Sequence, residues 1–138
     1  MSKFLPDTNI LQAKTERLPK PLYFSSVVFC ELMTACNDIK ELRAFQTALK
    51  AADKGGQLIV PTKEDWSEAG RIQFLLAQER KKDAGGKSPR RPAKVKQEIA
   101  LDCLIAISCS RENITVITND GDFWEIKRYL KNLNLLKF

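Results

Sequence analysis

Five carboxylates in this sequence stand where burial would be costly, and the chain has no histidine to share chemistry with them. Asp7 follows the apolar run Phe4-Leu5-Pro6, Glu31 lies inside Val27 to Met33, and Asp102 inside Ile99 to Ala106. Asp120 and Asp122 follow Ile114-Thr115-Val116-Ile117-Thr118. A carboxylate embedded in apolar sequence is costly to bury unless a cation or hydrogen-bond donors offset it. Clustered carboxylates also repel, so without a cation at least one takes up a proton near neutrality. A divalent ion reverses that penalty, and an all-oxygen ligand set favours Mg²⁺ or Mn²⁺. Such an ion acidifies water and polarises phosphoryl oxygens, the chemistry of metal-assisted phosphodiester hydrolysis.

Each acid also has a plainer reading. Glu31 has Val27, Val28, Thr34 and Ala35 as its three- and four-step helical neighbours, and Asp102 has Glu98, Ile99, Ile105 and Ala106. Both share a face with apolar residues, where a salt bridge to an Arg or Lys at the core edge would suffice. Asp7 alone is readable as a helix cap, and Asp120 alone as a turn residue before Gly121. The metal reading gains its force from all five acids together.

Without histidine there is no Ser-His-Asp triad, no histidine acid/base pair and no zinc-hydrolase motif. The four cysteines, Cys30, Cys36, Cys103 and Cys109, lie in apolar helix-like segments without zinc-finger spacing. They are expected to be core thiols in a reducing cytosol. A chain of 138 residues, 43% apolar and 29% charged, reads as one globular domain spanning 1–138. No apolar stretch approaches the ~18 residues of a membrane span. Met1 to Asp7 leaves no room for a signal peptide before the first acid, so a cytoplasmic location is expected.

The net charge of +6 is uneven. Between Arg80 and Lys96 eight basic residues face only Asp83, a net +7, which leaves −1 for everything else. Such a segment is either a solvated loop or the electrostatic footprint of a phosphate-backbone binder.

Short strands alternating with longer helices must position these groups. Lys3 to Pro6, Leu22 to Phe24, Gln57 to Val60, Ile114 to Thr118 and Leu133 to Phe138 read as strands. Helices are expected from Thr8 or Asn9, from Val27 to about Cys36, after an Asp38 cap, after Thr62, from about Ala93 to Ser110, and from Asp122 to Leu130. Trp66, Ala69, Ile72, Leu75 and Leu76 form the expected buried stripe of the fourth helix. This alternation argues for a parallel α/β sheet with helices on both faces, where ligands gather beyond the strand C-termini. Asp7 ends the first strand, and Asp120 with Asp122 follows the fourth. If those strands are neighbours, their acids converge.

The same residues carry a family resemblance that spans nearly the whole chain. Pro6-Asp7-Thr8-Asn9 resembles the opening DTN motif of PIN-domain nucleases. Ser26 to Leu32, with Glu31, looks like their second motif, Asp102-Cys103-Leu104-Ile105-Ala106 like the third, and Thr118-Asn119-Asp120-Gly121-Asp122-Phe123 like the fourth. The compact length is most similar to VapC-type toxins of toxin–antitoxin pairs. The resemblance implies a three-layer α/β/α sandwich with a five-stranded, mostly parallel sheet in the order 3-2-1-4-5. It also implies Mg²⁺- or Mn²⁺-dependent cleavage of RNA leaving a 5′-phosphate, a homodimer, and a cognate antitoxin protein.

Carried over by position, Asp7, Glu31, Asp102 and Asp120 are the catalytic acids, with Asp7, Asp102 and Asp120 as metal ligands. Thr8, Asn9 and Thr118 would orient the carboxylates, with Asp122 a peripheral fifth acid. Arg90, Arg91 and Lys94 would hold the RNA backbone. Two features depart from the family pattern. Pro6 removes a donor in a central strand and is expected to be its last residue. The basic insert is long, and could serve either RNA or an acidic partner.

Two other readings exist. One is a catalytically silent module of the same scaffold that binds RNA or a partner protein. The other is a haloacid-dehalogenase-like phosphatase, suggested by Asn119 to Asp122; that family needs a second Asp where this chain has Asn9.

Overall fold

The computed structural model describes residues 2–13, 15–83, 85 and 93–138, with residues 15 and 93–95 described by backbone alone. The first strand, β1 (Phe4–Pro6), leads into α1 (Thr8–Ala13) and a 3-10 turn at Thr15–Arg17. Next come β2 (Phe24–Ser25), α2 (Ser26–Thr34), α3 (Ile39–Lys54), β3 (Leu58–Ile59) and α4 (Lys63–Asp83). The chain ends with α5 (Ala93–Arg111), β4 (Thr115–Ile117), α6 (Gly121–Lys127) and β5 (Asn134–Leu136).

The helix starts follow from local chemistry. Ser25 caps α2 by accepting the Val27 N–H at 3.1 Å. Asp38 caps α3 by accepting from the Glu41 N–H, while Glu41 reaches back to the Asn37 N–H. Thr62 and Asp65 form a reciprocal pair at the start of α4, each side chain accepting the other's backbone N–H. Helix α5 ends through Asn113, whose φ of 57° suits a residue that tolerates the left-handed region, and the chain turns directly into β4.

All strand pairs are parallel: β1 pairs with β4, β4 with β5, and β2 with β3. The expected single sheet is therefore divided into β1-β4-β5 and β2-β3, joined by one bridge between Phe4 and Leu22. Alternate residues of a strand direct their amides to opposite edges. Lys3 and Asp7 bond toward β4, whereas Phe4 donates to the Pro21 carbonyl and accepts from the Tyr23 N–H. Read through that bridge, the strands lie as β3-β2-β1-β4-β5.

Pro6 accounts for the division. In a parallel ladder the residue-6 N–H would be the next donor to this edge, toward the Tyr23 carbonyl, and proline has none. As expected, Pro6 is the last residue of β1.

Adjacent strand residues point to opposite faces. Leu5 and Val116 enter the large core built with α2, α4, α5 and α6, while Phe4 and Ile117 pack with Ile10, Leu18 and Leu22 on the other face. The sheet is thus covered on both sides, as an α/β fold with parallel strands requires.

Two expectations are corrected. On α4 the buried stripe is Asp65, Ala69, Ile72 and Leu76; Leu75 is half-buried and Trp66 is 60% exposed. At 100° per residue, Trp66 lies a quarter-turn from that stripe. Asp65 takes the inward position because Arg111 pairs with its carboxylate at 3.0 Å. Likewise, only Cys103 and Cys109 are core thiols; Cys30 is exposed and Cys36 half-buried. Cys30 sits opposite the face of α2 that buries Val28 and Leu32.

Arg80, counted with the basic segment, belongs to α4 and pairs with Glu125 at 2.8 Å. Among the described residues no helix is long and apolar enough to cross a membrane.

Candidate metal centre

The C-terminal ends of β1 and β4 place the first two acids. Pairing Pro6 with Ile117 brings Asp7 and Thr118 out of adjacent strands together. Asp7 is only 5% exposed, and both of its carboxylate oxygens are held. One accepts the Ile10 N–H at 3.0 Å, and the other accepts the Thr118 hydroxyl. Asp7 therefore does cap α1, the plainer of its two readings. Each oxygen keeps a further lone pair, so the cap leaves a cation ligand available.

Thr118 connects the two strands' acids, because its hydroxyl oxygen also accepts the Asp120 N–H at 3.0 Å. Asp120 in turn caps α6, accepting the Asp122 N–H at 2.9 Å. Glu31 comes from α2, directly after β2, and accepts from the Thr8 hydroxyl at 3.2 Å. Asp102 projects from the middle of α5.

These elements deliver Asp7, Thr8, Asn9, Glu31, Glu98, Asp102, Asp120 and Asp122 to one cleft of about 200 Å³. Carboxylate oxygens of Asp102, Asp120 and Asp122 lie within 4.8 Å of one another. The catalytic acids read from the sequence all line this cleft. Asp122, expected at its periphery, belongs to this close trio, and Asp7 lines the same cleft outside it. Glu98 joins them as an acid outside the expected set; it lies one turn before Asp102 and so on the same helix face. Arg90, Arg91 and the side chain of Lys94 lie outside the described residues.

The electrostatics match a site built for a cation. Burial, then the charges of Asp120, Glu31, Asp122 and Asp7, push the Asp102 carboxyl up to about 8. Burial also raises Glu31, with Asp7 and Glu98 adding to it against the lowering hydrogen bond from Thr8. The donor set is carboxylate oxygen throughout, which suits a hard dication and no soft one. Mg²⁺ or Mn²⁺ fits the residues present.

A family model for the PIN domain matches residues 5–129. The chain belongs to the PIN domain family. No curated protein matches this PIN domain in sequence. Among solved structures, it resembles a DNA-bound VapBC from Salmonella typhimurium at 16% identity and a TM-score of 0.59, covering 99% of this chain and 98% of that one. VapBC2 from Rickettsia felis, bound to a DNA fragment from its promoter, gives 19% and 0.56, with 99% and 98% covered. VapBC-5 of Mycobacterium tuberculosis, described as a member of a family of toxin–antitoxin systems, gives 17% and 0.56 with both chains fully covered. At such identities the likeness establishes the fold that this PIN domain shares with them.

Proposed function

We propose that the chain, as one PIN-like domain over 1–138, is a divalent-metal-dependent endoribonuclease of the cytoplasm and the toxin of a type II toxin–antitoxin pair. The observation that carries the reading is the convergence of six carboxylates, Glu98 included, on one cleft in which Asp102 is pushed up to about 8. Acids crowded this closely disfavour their own ionisation unless a cation joins them. Asp7, Asp102 and Asp120 would hold Mg²⁺ or Mn²⁺, with Asp122 close enough to contribute.

When bound, the cation supplies Lewis acidity toward water and phosphoryl oxygens. The remaining steps belong to side chains. Thr118 fixes Asp7 and the Asp120 backbone together, which sets the spacing of their oxygens. Thr8 orients Glu31, whose raised proton affinity suits it to accept a proton from an attacking water. Asn9 lines the same wall. Arg90, Arg91 and Lys94 would clamp the RNA backbone, since a concentrated basic segment offsets the repulsion between an acidic cleft and a polyanion. The partners in this reading are RNA, a cognate antitoxin and a second copy of the chain, and the solved VapBC neighbours support the antitoxin.

The test is cleavage of a defined RNA by the purified chain in Mn²⁺, with end-group analysis for a 5′-phosphate. Asp7→Asn and Asp102→Asn should each lose at least about 100-fold in rate while circular dichroism stays unchanged. Full activity in either folded variant removes that residue from the mechanism. Wild-type chain that binds Mn²⁺ and RNA without turnover would leave a silent binding module.

A further inference from the structure

A second cleft of about 340 Å³ adjoins the acidic one, and Asp7, Asn9 and Asp120 line both. Its remaining walls are Ile10, Ala13, Asn119 and Phe138. Phe138 lies just beyond β5 and is 46% exposed, an aromatic ring left facing solvent at the rim of a polar site. Its backbone N–H donates to Asn119 Oδ1 at 2.9 Å, which fastens the Phe138 backbone to the loop carrying Asp120. With Oδ1 so used, the amide nitrogen of Asn119 remains a donor for a ligand.

We propose that this cleft is a nucleobase site, in which Phe138 stacks on an unpaired base of the nucleotide next to the phosphate held in the acidic cleft. The inference rests on the nuclease reading above, and adds to it where the base goes. An aromatic face, an apolar floor from Ile10 and Ala13, and amide side chains at Asn9 and Asn119 are what a single-stranded base requires. A base carries no charge, so Asp7 and Asp120 on the shared wall do not oppose it as they would a second phosphate. Stacking tolerates any base, while Asn9 and Asn119 favour bases whose edges match their amides. Phe138 is a specificity and binding residue, with no part in the bond-breaking chemistry.

The probe is a short single-stranded oligoribonucleotide carrying 2-aminopurine, whose fluorescence is quenched by stacking, titrated with the full chain in Ca²⁺. Wild type and Phe138→Tyr should quench it; Phe138→Ala should lose the quench and bind ~5- to 100-fold more weakly, the range for one aromatic–base stack. Phe138 is half-exposed, so its removal should leave circular dichroism unchanged. In Mn²⁺, cleavage by Phe138→Ala should show a raised KM with kcat nearly unchanged. Equal quench and affinity in wild type and Phe138→Ala overturns the base site, even if the enzyme cleaves normally. Loss of quench in the variant with no cleavage by wild type keeps the base site and overturns the nuclease reading instead.

Discussion

Asp102 shows how one side chain reports on its neighbours. Its carboxyl ionises only near pH 8, because burial and four surrounding acids resist a further negative charge. In the unfolded chain the same group ionises near its ordinary value of 3.8. Between these two values the metal-free folded state binds the extra proton, so Asp102 lowers stability as pH rises through that window. Metal-free Asp102→Asn should therefore melt roughly 5 °C above wild type at pH 8.5, with little difference at pH 4. Saturating Mn²⁺ should raise the Tm of wild type but not of the variant. A variant less stable than wild type at pH 8.5 would contradict this account. Thr118 has the opposite role, since its hydroxyl bonds Asp7 and the Asp120 N–H at once. Thr118→Val should cost about 10- to 100-fold in cleavage rate, as loss of an orienting hydrogen bond at a metal site does. It also leaves one oxygen of buried Asp7 without its donor, so a measurable Tm loss should accompany it.

At the scale of elements, α4 and α5 share a core and, among the described residues, one charged pair. Asp65 is buried at the start of α4, and Arg111 at the end of α5 reaches both of its oxygens as well as the Val60 carbonyl. Burial works to raise the Asp65 carboxyl, but hydrogen bonds from Arg111 and Thr62 outweigh it and hold the group below its ordinary value. Its stabilisation is therefore present at neutral pH and lost as the solution is acidified below about pH 4. Arg111→Met should destabilise by about 2–3 kcal/mol at pH 7, with the difference shrinking at pH 3 in denaturant titrations. An unchanged midpoint at pH 7 would show the pair to be dispensable.

The same helices show what sequence could and could not reveal. Strands are legible from short apolar runs between turn residues, and helix starts from Asp38 and Thr62, because those signals are local. The acids were legible because carboxylates inside apolar runs conflict with burial, and conflicts mark sites. Trp66 departs from the expected stripe because helical period fixes a stripe's spacing but not its rotation when both faces carry apolar residues. The inward Asp65 needed Arg111, which is distant in sequence. Glu98 was readable by its one-turn offset from Asp102. Phe138 was not, since nothing local tells that the chain beyond β5 returns to Asn119.

For the whole molecule, the basic segment and the exposed aromatics are where contact with other molecules can be tested. Replacing Arg90, Arg91 and Lys94 together by Ala should weaken RNA binding and flatten its salt dependence by up to about 0.7 log units per lost phosphate contact. An unchanged slope would leave that segment to a protein partner. Trp66 and Phe74 flank Gly70 on α4, each 60% exposed, and among the described residues nothing outside the helix's own backbone lies within 4 Å of the position of a Gly70 Cβ. If the chain pairs with itself across this stripe, Trp66→Ser with Phe74→Ser should convert a sedimenting dimer into monomer. A dimer that persists would place the contact elsewhere.

Pro6 reaches further than its own strand. Because it ends the hydrogen bonding between β1 and the chain entering β2, that line is crossed among the described residues by the Phe4–Leu22 bridge, the Thr8–Glu31 side-chain hydrogen bond and packing. Glu31 follows β2 on one side of this seam, while Asp7 follows β1 and Asp120 and Asp122 follow β4 on the other. The acidic cleft is thus lined from both sides of a seam that few main-chain hydrogen bonds cross among the described residues, so parting its acids would break few of them.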